Sequence, residues 1–272
     1  MSIRKTINLG YLWGGVAGVT LLLSACAGPQ QAGEDGNSTT SARTVTVDGE
    51  VALHSLMSLA DGHLQNIADA YSILATMDSV RSAQWEQVRE PLATAAQVNV
   101  PALYWFARPD GSYWTLEEGR VDATLADRVY FSRVLAGQTI LGDLVVSRAT
   151  GKSAAIVAVP VYGDDDSVVG VLGASVYLDR LSEKVDEEMG LAPNHVFFSL
   201  DETPIVGLHE DPEVIFVHPL EEDDLQLTRA IRTILSRDQG VVSYRFRGQG
   251  RTIHYRRSPV TGWWYGFGEV YE

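Results

Sequence analysis

In the stretch LADRVYFSRVLAGQT, Arg128 stands just before the aromatic pair Tyr130 and Phe131. A guanidinium presents a planar fork of donors that suits a carboxylate, and aromatic walls give a pocket an apolar floor. The same residues also suit a plain scaffold, with Arg128 paired to Asp127 or Asp122 at the surface and both rings packed in a core. Other chemistry-bearing residues are less organised. His209 and Glu210 open like a zinc motif, yet HEDPE lacks the second histidine, and no histidine pair has metal-ligand spacing. The acidic run GDDD at 163–166 lacks the alternating oxygens and terminal glutamate of a calcium loop. Glu117 and Glu118 read as turn charges rather than as a general acid and base. No nucleophile elbow, phosphate loop or dinucleotide glycine pattern occurs in the chain. The expectation is a binding protein without metal, cofactor or catalysed reaction.

The single cysteine has a different chemistry. Arg4 and Lys5 form a basic start, an apolar run from Leu9 to Leu23 follows, and Leu23, Ser24 and Ala25 lead directly into Cys26. This is the layout of an export signal ending in small residues, and LSAC resembles a bacterial lipobox. Residues 1–25 are expected to be a lipoprotein signal peptide, with Cys26 the lipidated first residue of the mature chain. An uncleaved membrane anchor is the alternative, because an apolar run of ~18 residues can also span a bilayer. Residues 26–44, rich in Gly, Ser, Thr and Gln, read as a flexible tether to a lipid-anchored position in the cell envelope. Ala27 follows the cysteine where an aspartate would favour inner-membrane retention. The outer membrane, facing the periplasm, is therefore preferred.

The chain carries 35 Asp and Glu against 21 Lys and Arg, a formal charge of -14. Such a surface repels phosphate backbones, so nucleic acid is not an expected partner.

Chemistry needs elements to position it. Leu53, Met57, Ala60, Leu64, Ile67, Tyr71 and Leu74 recur at steps of three and four and predict a long helix over 45–95. Asp78 and Arg81 interrupt its apolar face, and Pro91 suggests an end or kink. The face can lie against the chain's own sheet or form the seam of a homodimer. Beyond Pro101 the pattern shortens to strands. ALYWFARPDGSYWTLEEG holds a hairpin at Asp110–Gly111, then comes the helix bearing Arg128, then three β-rich segments broken at ATGK and GDDD. From 191 to 272 the order strand, strand, helix, strands repeats in shortened form, which points to two similar lobes.

The long helix, the PDG hairpin, LADRVYFSRVLAGQ, SRATGKSA, VPVYGDDDSVVGVLGASVYLD and the later GVVSYRFRG and SPVTGWWYGFGEV together resemble the double Cache sensor domains. That resemblance implies an α+β fold: a long N-terminal helix followed by two PAS-like lobes, each an antiparallel sheet with helices. The lobes would be a larger first one at 96–190 and a smaller second one at 191–272. It also implies a small-molecule ligand in the first lobe, faced by Arg128, Tyr130 and Phe131. Tyr104, Phe106, Tyr113 and Trp114 are further candidates from the hairpin, and Ser147, Arg148, Thr150 and Lys152 lie on a turn that would cap the pocket. Members that bind amino acids use an aspartate on the last strand of this lobe, where alignment puts Ser175. A serine supplies no charge to an ammonium, so a carboxylate or neutral ligand is preferred to an amino acid. No receptor, kinase or cyclase part follows the second lobe in this sequence, so signalling is expected to need a partner such as a transmembrane receptor or kinase. The alternative is an envelope interaction protein that dimerises through the long helix and binds no ligand.

Overall fold

Asp48 caps the first helix: its carboxylate accepts from the amides of Glu50 (2.9 Å) and Val51 (3.2 Å), donors that a helix start leaves without intrahelical partners. The computed structural model describes residues 48–272, so the expected signal segment, the tether and Cys26 lie outside the described residues. Helix α1 runs Gly49–Leu74, α2 Asp78–Arg81 and α3 Trp85–Gln97. The helix expected over 45–95 is therefore three helices. Met77 turns to an extended conformation before α2, and Ala83 takes a left-handed φ of 52° before α3. Pro91 lies inside α3 rather than ending it; its missing N–H removes a single bond of the helix ladder.

Six strands follow: β1 Ala102–Ala107, β2 Ser112–Thr115, β3 Gly119–Thr124, β4 Ile140–Val146, β5 Ser153–Tyr162 and β6 Val168–Tyr177, with helix α4 Val129–Leu135 between β3 and β4. They form one antiparallel sheet in the order β3-β2-β1-β6-β5-β4. Strand β3 is absent from the sequence reading because only Val121 in GRVDAT is buried, which leaves no apolar alternation. The PDG turn forms as expected: Gly111 has φ 84°, and Asp110 accepts from the amide and hydroxyl of Ser112.

Helix α5, Leu178–Met189, ends on Gly190 in a left-handed conformation and leads into the second lobe. There β7 His195–Leu200, β8 Val206–His209, α6 Leu225–Leu235, β9 Gln239–Phe246, β10 Gln249–Arg257 and β11 Trp264–Tyr271 build a sheet ordered β8-β7-β11-β10-β9. The two sheets share a topology: the last strand of each lobe returns to the middle, beside the first. Asp224 caps α6 through the amides of Gln226 and Leu227.

Each sheet separates two cores. The seam of α1, including Leu53, Ala60, Leu64, Ile67 and Tyr71, is buried against one face of both sheets, together with Phe106, Leu172, Phe197 and Phe267. Leu64, Ile67 and Tyr71 are 0% exposed, so the helix face serves this chain's own core rather than a dimer seam. On the opposite faces, α4 packs in the first lobe with Trp105, Phe131 and Ile156, and α6 packs in the second with Phe198, Ile253 and Tyr255. Cavities lie in these outer layers, between sheet and short helix.

Candidate functional site

Parity along β1 decides which hairpin aromatics face the first-lobe cleft. Successive strand residues point to opposite faces, and Trp105 pairs with Gly173 on β6 while Leu103 pairs with Ser175. Leu103, Trp105, Tyr113 and Ser175 therefore line a cleft under α4, joined by Arg128, Tyr130, Ser147 and Arg148. Tyr104, Phe106 and Trp114 lie on the other face, in the core beneath α1. There the Tyr104 phenol donates to Val100 O at 2.6 Å. Trp114 stacks on Trp85 at 6.5 Å between centroids, with the guanidiniums of Arg108 and Arg120 over its ring. Phe131 is 1% exposed in the outer core and does not line the cleft.

The two cleft arginines are already engaged. Arg128, the residue before α4, donates from Nη2 to Val146 O at 2.9 Å. Arg148 makes a two-pronged pair with Asp127 at 2.6 and 2.7 Å and also donates to Thr124 O. That pair is exposed, and it holds the Asp127 carboxyl below its ordinary range. The turn that carries Ser147 and Arg148 is closed by Ser147 N donating to Lys152 O, with Thr150 N bonded to Ser147 Oγ. Lys152 itself lies over the Tyr177 ring at 4.6 Å. Burial keeps the Tyr113 and Tyr130 phenols above their ordinary pKa, with the Arg128 and Arg148 charges pulling the other way. Both stay neutral hydroxyls at physiological pH.

Trp105, which the sequence reading passed over, governs the space. Its indole lies across Gly173, where an added Cβ would collide with the ring. Its Nε1 donates to Ser175 Oγ at 3.2 Å, and its ring tilts against Tyr130 at 6.4 Å between centroids. The remaining cavity is about 20 Å³, enough for about one water. A roomier cavity of about 290 Å³ lies at the corresponding place in the second lobe, between its sheet, α6 and the loop after β8.

Neither protein-family models nor curated proteins match the sequence. Solved structures do match the fold. An extracellular ligand-binding receptor from Desulfohalobium retbaense superposes with a TM-score of 0.65 at 12% identity, over 82% of this chain and 40% of that one. The chain thus spans well under half of that receptor. The ligand-binding domain of the Pseudomonas fluorescens chemoreceptor CtaA, solved with L-isoleucine, gives 0.61 at 16% identity over 81% of this chain and 88% of its own. The extracellular domain of a candidate histidine kinase, rpHK1S-Z16, gives 0.62 at 18% identity over 80% and 91%. These neighbours are sensory ligand-binding domains rather than enzymes, and no described helix here is long and apolar enough to cross a membrane. The long helix and the two lobes of shared topology give this chain the fold of the double Cache extracellular sensory domains.

Proposed function

We propose that this chain is an extracytoplasmic small-molecule sensor, tethered to the envelope by a lipid on Cys26 and passing its signal to a membrane-spanning receptor or kinase. The observation that carries the reading is the pair of lobes on one long helix, shared with chemoreceptor and kinase sensory domains. Binding rather than catalysis suits what surrounds the first-lobe cleft: neutral phenols, engaged guanidiniums and two buried serine hydroxyls, with no base held beside a nucleophile. Arg128, which donates to a carbonyl rather than to a carboxylate, favours a ligand bearing negative charge, whereas the Arg148 charge is already met by Asp127. Ser175, which here accepts from Trp105, offers no partner to an ammonium. A carboxylate or a neutral molecule is therefore the ligand we assign to this cleft. Entry requires Trp105 to swing off Gly173 or the 147–152 turn to lift, either of which would shift β1 or α4 and so register occupancy.

Thermal-shift screening of the full-length protein in detergent against carboxylates, amines, amino acids and purines tests the function. A bound ligand at 100 times its Kd stabilises the folded state by ~2.7 kcal/mol, so at least one class is expected to raise the melting temperature in a saturable way. A flat response across the whole library would refute the reading.

A further inference from the structure

Arg251, on β10, is a half-buried guanidinium whose Nε has no hydrogen-bond partner among the described residues. The chain has a large excess of carboxylates, and most arginines that leave the surface find one, as Arg133 does with Asp143. Glu210 is near enough to feel the Arg251 charge, yet the two form no ion pair. The Tyr244 phenol and the Phe246 ring meet this guanidinium, but neither carries a charge that balances it. The residue lines the 290 Å³ cavity of the second lobe.

Three features show that the cavity is built for charge. Arg247 and Arg251 both lie over the Phe246 ring, at 5.0 and 5.1 Å from its centroid, so two cations converge on one wall. Arg247 holds that place with a left-handed φ of 50° in a two-residue turn with Gly248 at 84°. Such turns favour Asn, Asp or Gly, so an arginine there is strained by ~1 kcal/mol. The loop after β8 brings Glu210, Asp211, Glu213 and Glu222 to the same cavity, while Phe198, Leu227 and Ile231 form its apolar floor.

A simple anion would meet two guanidiniums but also four carboxylates. A simple amine would meet the reverse. A molecule with both charges and an apolar body satisfies every part of the lining, and the volume lies at the low end of the ~300–1,000 Å³ of ligand pockets. We propose that the second lobe is itself a binding site for a small zwitterion with an apolar side chain, its carboxylate on Arg251 and Arg247 and its ammonium toward Glu210 and Asp211. This rests on the reading of the chain as a small-molecule sensor. It adds a site with the acidic partner for an amine that the first lobe lacks.

Calorimetric titration of the full-length protein with leucine, 4-methylpentanoate and 3-methylbutylamine tests it, since the last two each remove one charge from the first. Saturable leucine binding is expected, with both analogues weaker by about tenfold or more. Arg251→Gln is expected to weaken leucine by a similar factor. Arg247→Gln, at an exposed hairpin tip, should do so while leaving the unliganded melting temperature unchanged. Equal binding of leucine and 4-methylpentanoate, or leucine affinity untouched by both variants, would overturn the proposal. Leucine binding lost in Arg128→Gln but kept in the two second-lobe variants would overturn it while upholding the sensor reading. No leucine binding beside a saturable response to another ligand class would do the same.

Discussion

The phenol of Tyr265, in the last strand of the second lobe, donates a 2.8 Å hydrogen bond to Asp61 Oδ1 in the middle of the long helix. Ser258 Oγ donates to Oδ2 at 2.6 Å and Thr261 Oγ1 to Oδ1 at 3.1 Å, so one buried carboxyl gathers three hydroxyls of the second lobe. The adjacent Trp263 donates from Nε1 to Gly142 O on β4 at 3.0 Å. Helix, second lobe and first lobe therefore meet within a few residues.

Truncating that carboxyl leaves buried hydroxyls without an acceptor. Asp61→Ala is expected to lower stability by ~2–3 kcal/mol, read by chemical denaturation. Burial also raises the Asp61 pKa, against the opposing effect of its three donors. A group whose folded pKa is raised contributes stability that is full below its unfolded value and is lost as pH rises through the folded value. The carboxamide of the Asp61→Asn variant does not titrate. The deficit of that variant relative to wild type should therefore be largest below the unfolded aspartate pKa of ~3.9 and shrink as pH rises above it; a deficit that grows with pH would contradict this.

The close approach of Trp105 and Gly173 makes a paired test. Gly173→Ala places a Cβ inside the indole ring, and overpacking of this kind costs ~1–3 kcal/mol. Adding Trp105→Leu should return part of that loss, because the smaller side chain vacates the space. If the two changes simply add in a double-mutant cycle, Trp105 does not seal the first-lobe cleft in the manner described.

His209 makes the fold sensitive to acid. Its side chain is 11% exposed, and its Nδ1 accepts from the Asp211 amide at 2.9 Å. Its pKa is pushed down to about 4, chiefly by burial, with the Arg251 charge adding to the effect. The unfolded chain takes up the proton first, near pH ~6.5. Stability from this group is thus full above that value and is lost progressively as pH falls toward about 4, by ~3 kcal/mol in all. Denaturation midpoints of wild type and His209→Gln, compared at neutral pH and close to the folded pKa, should show a smaller loss in the variant. Equal losses would place the acid sensitivity elsewhere.

Lipid attachment has its own readout. Cys26→Ala is expected to incorporate no labelled palmitate and to appear in the soluble envelope fraction after export. Continued labelling, or firm membrane association, would contradict the anchor.

Much of the fold was legible because its signals are local. The seam from Leu53 to Tyr71, the Asp110–Gly111 turn and the repeated element order could all be read from spacing. The breaks in the helix were harder to place, since Asp78 and Arg81 mark a change of face but not the extended Met77 or the left-handed Ala83. In the first lobe, Arg128, Tyr113, Tyr130, Ser147, Arg148 and Ser175 do share one cleft. Of the hairpin aromatics, Tyr113 faces this cleft with Trp105 while Tyr104, Phe106 and Trp114 face the core beneath α1, an alternation that the sequence shows only once the strand is anchored on Ser175. The second-lobe cavity had no sequence signal. Phe198, Glu210, Leu227 and Arg251 come from separate elements and carry no common motif, and only the tertiary fold brings them together.

Whether the chain binds a small molecule is tested most directly by isothermal titration of the full-length protein with the compound that most raises its melting temperature. Saturable heat is expected, with a negative heat-capacity change from burial of apolar surface. A compound that shifts the melting temperature but gives no saturable heat at any temperature tried would contradict the assignment of this fold as a sensor.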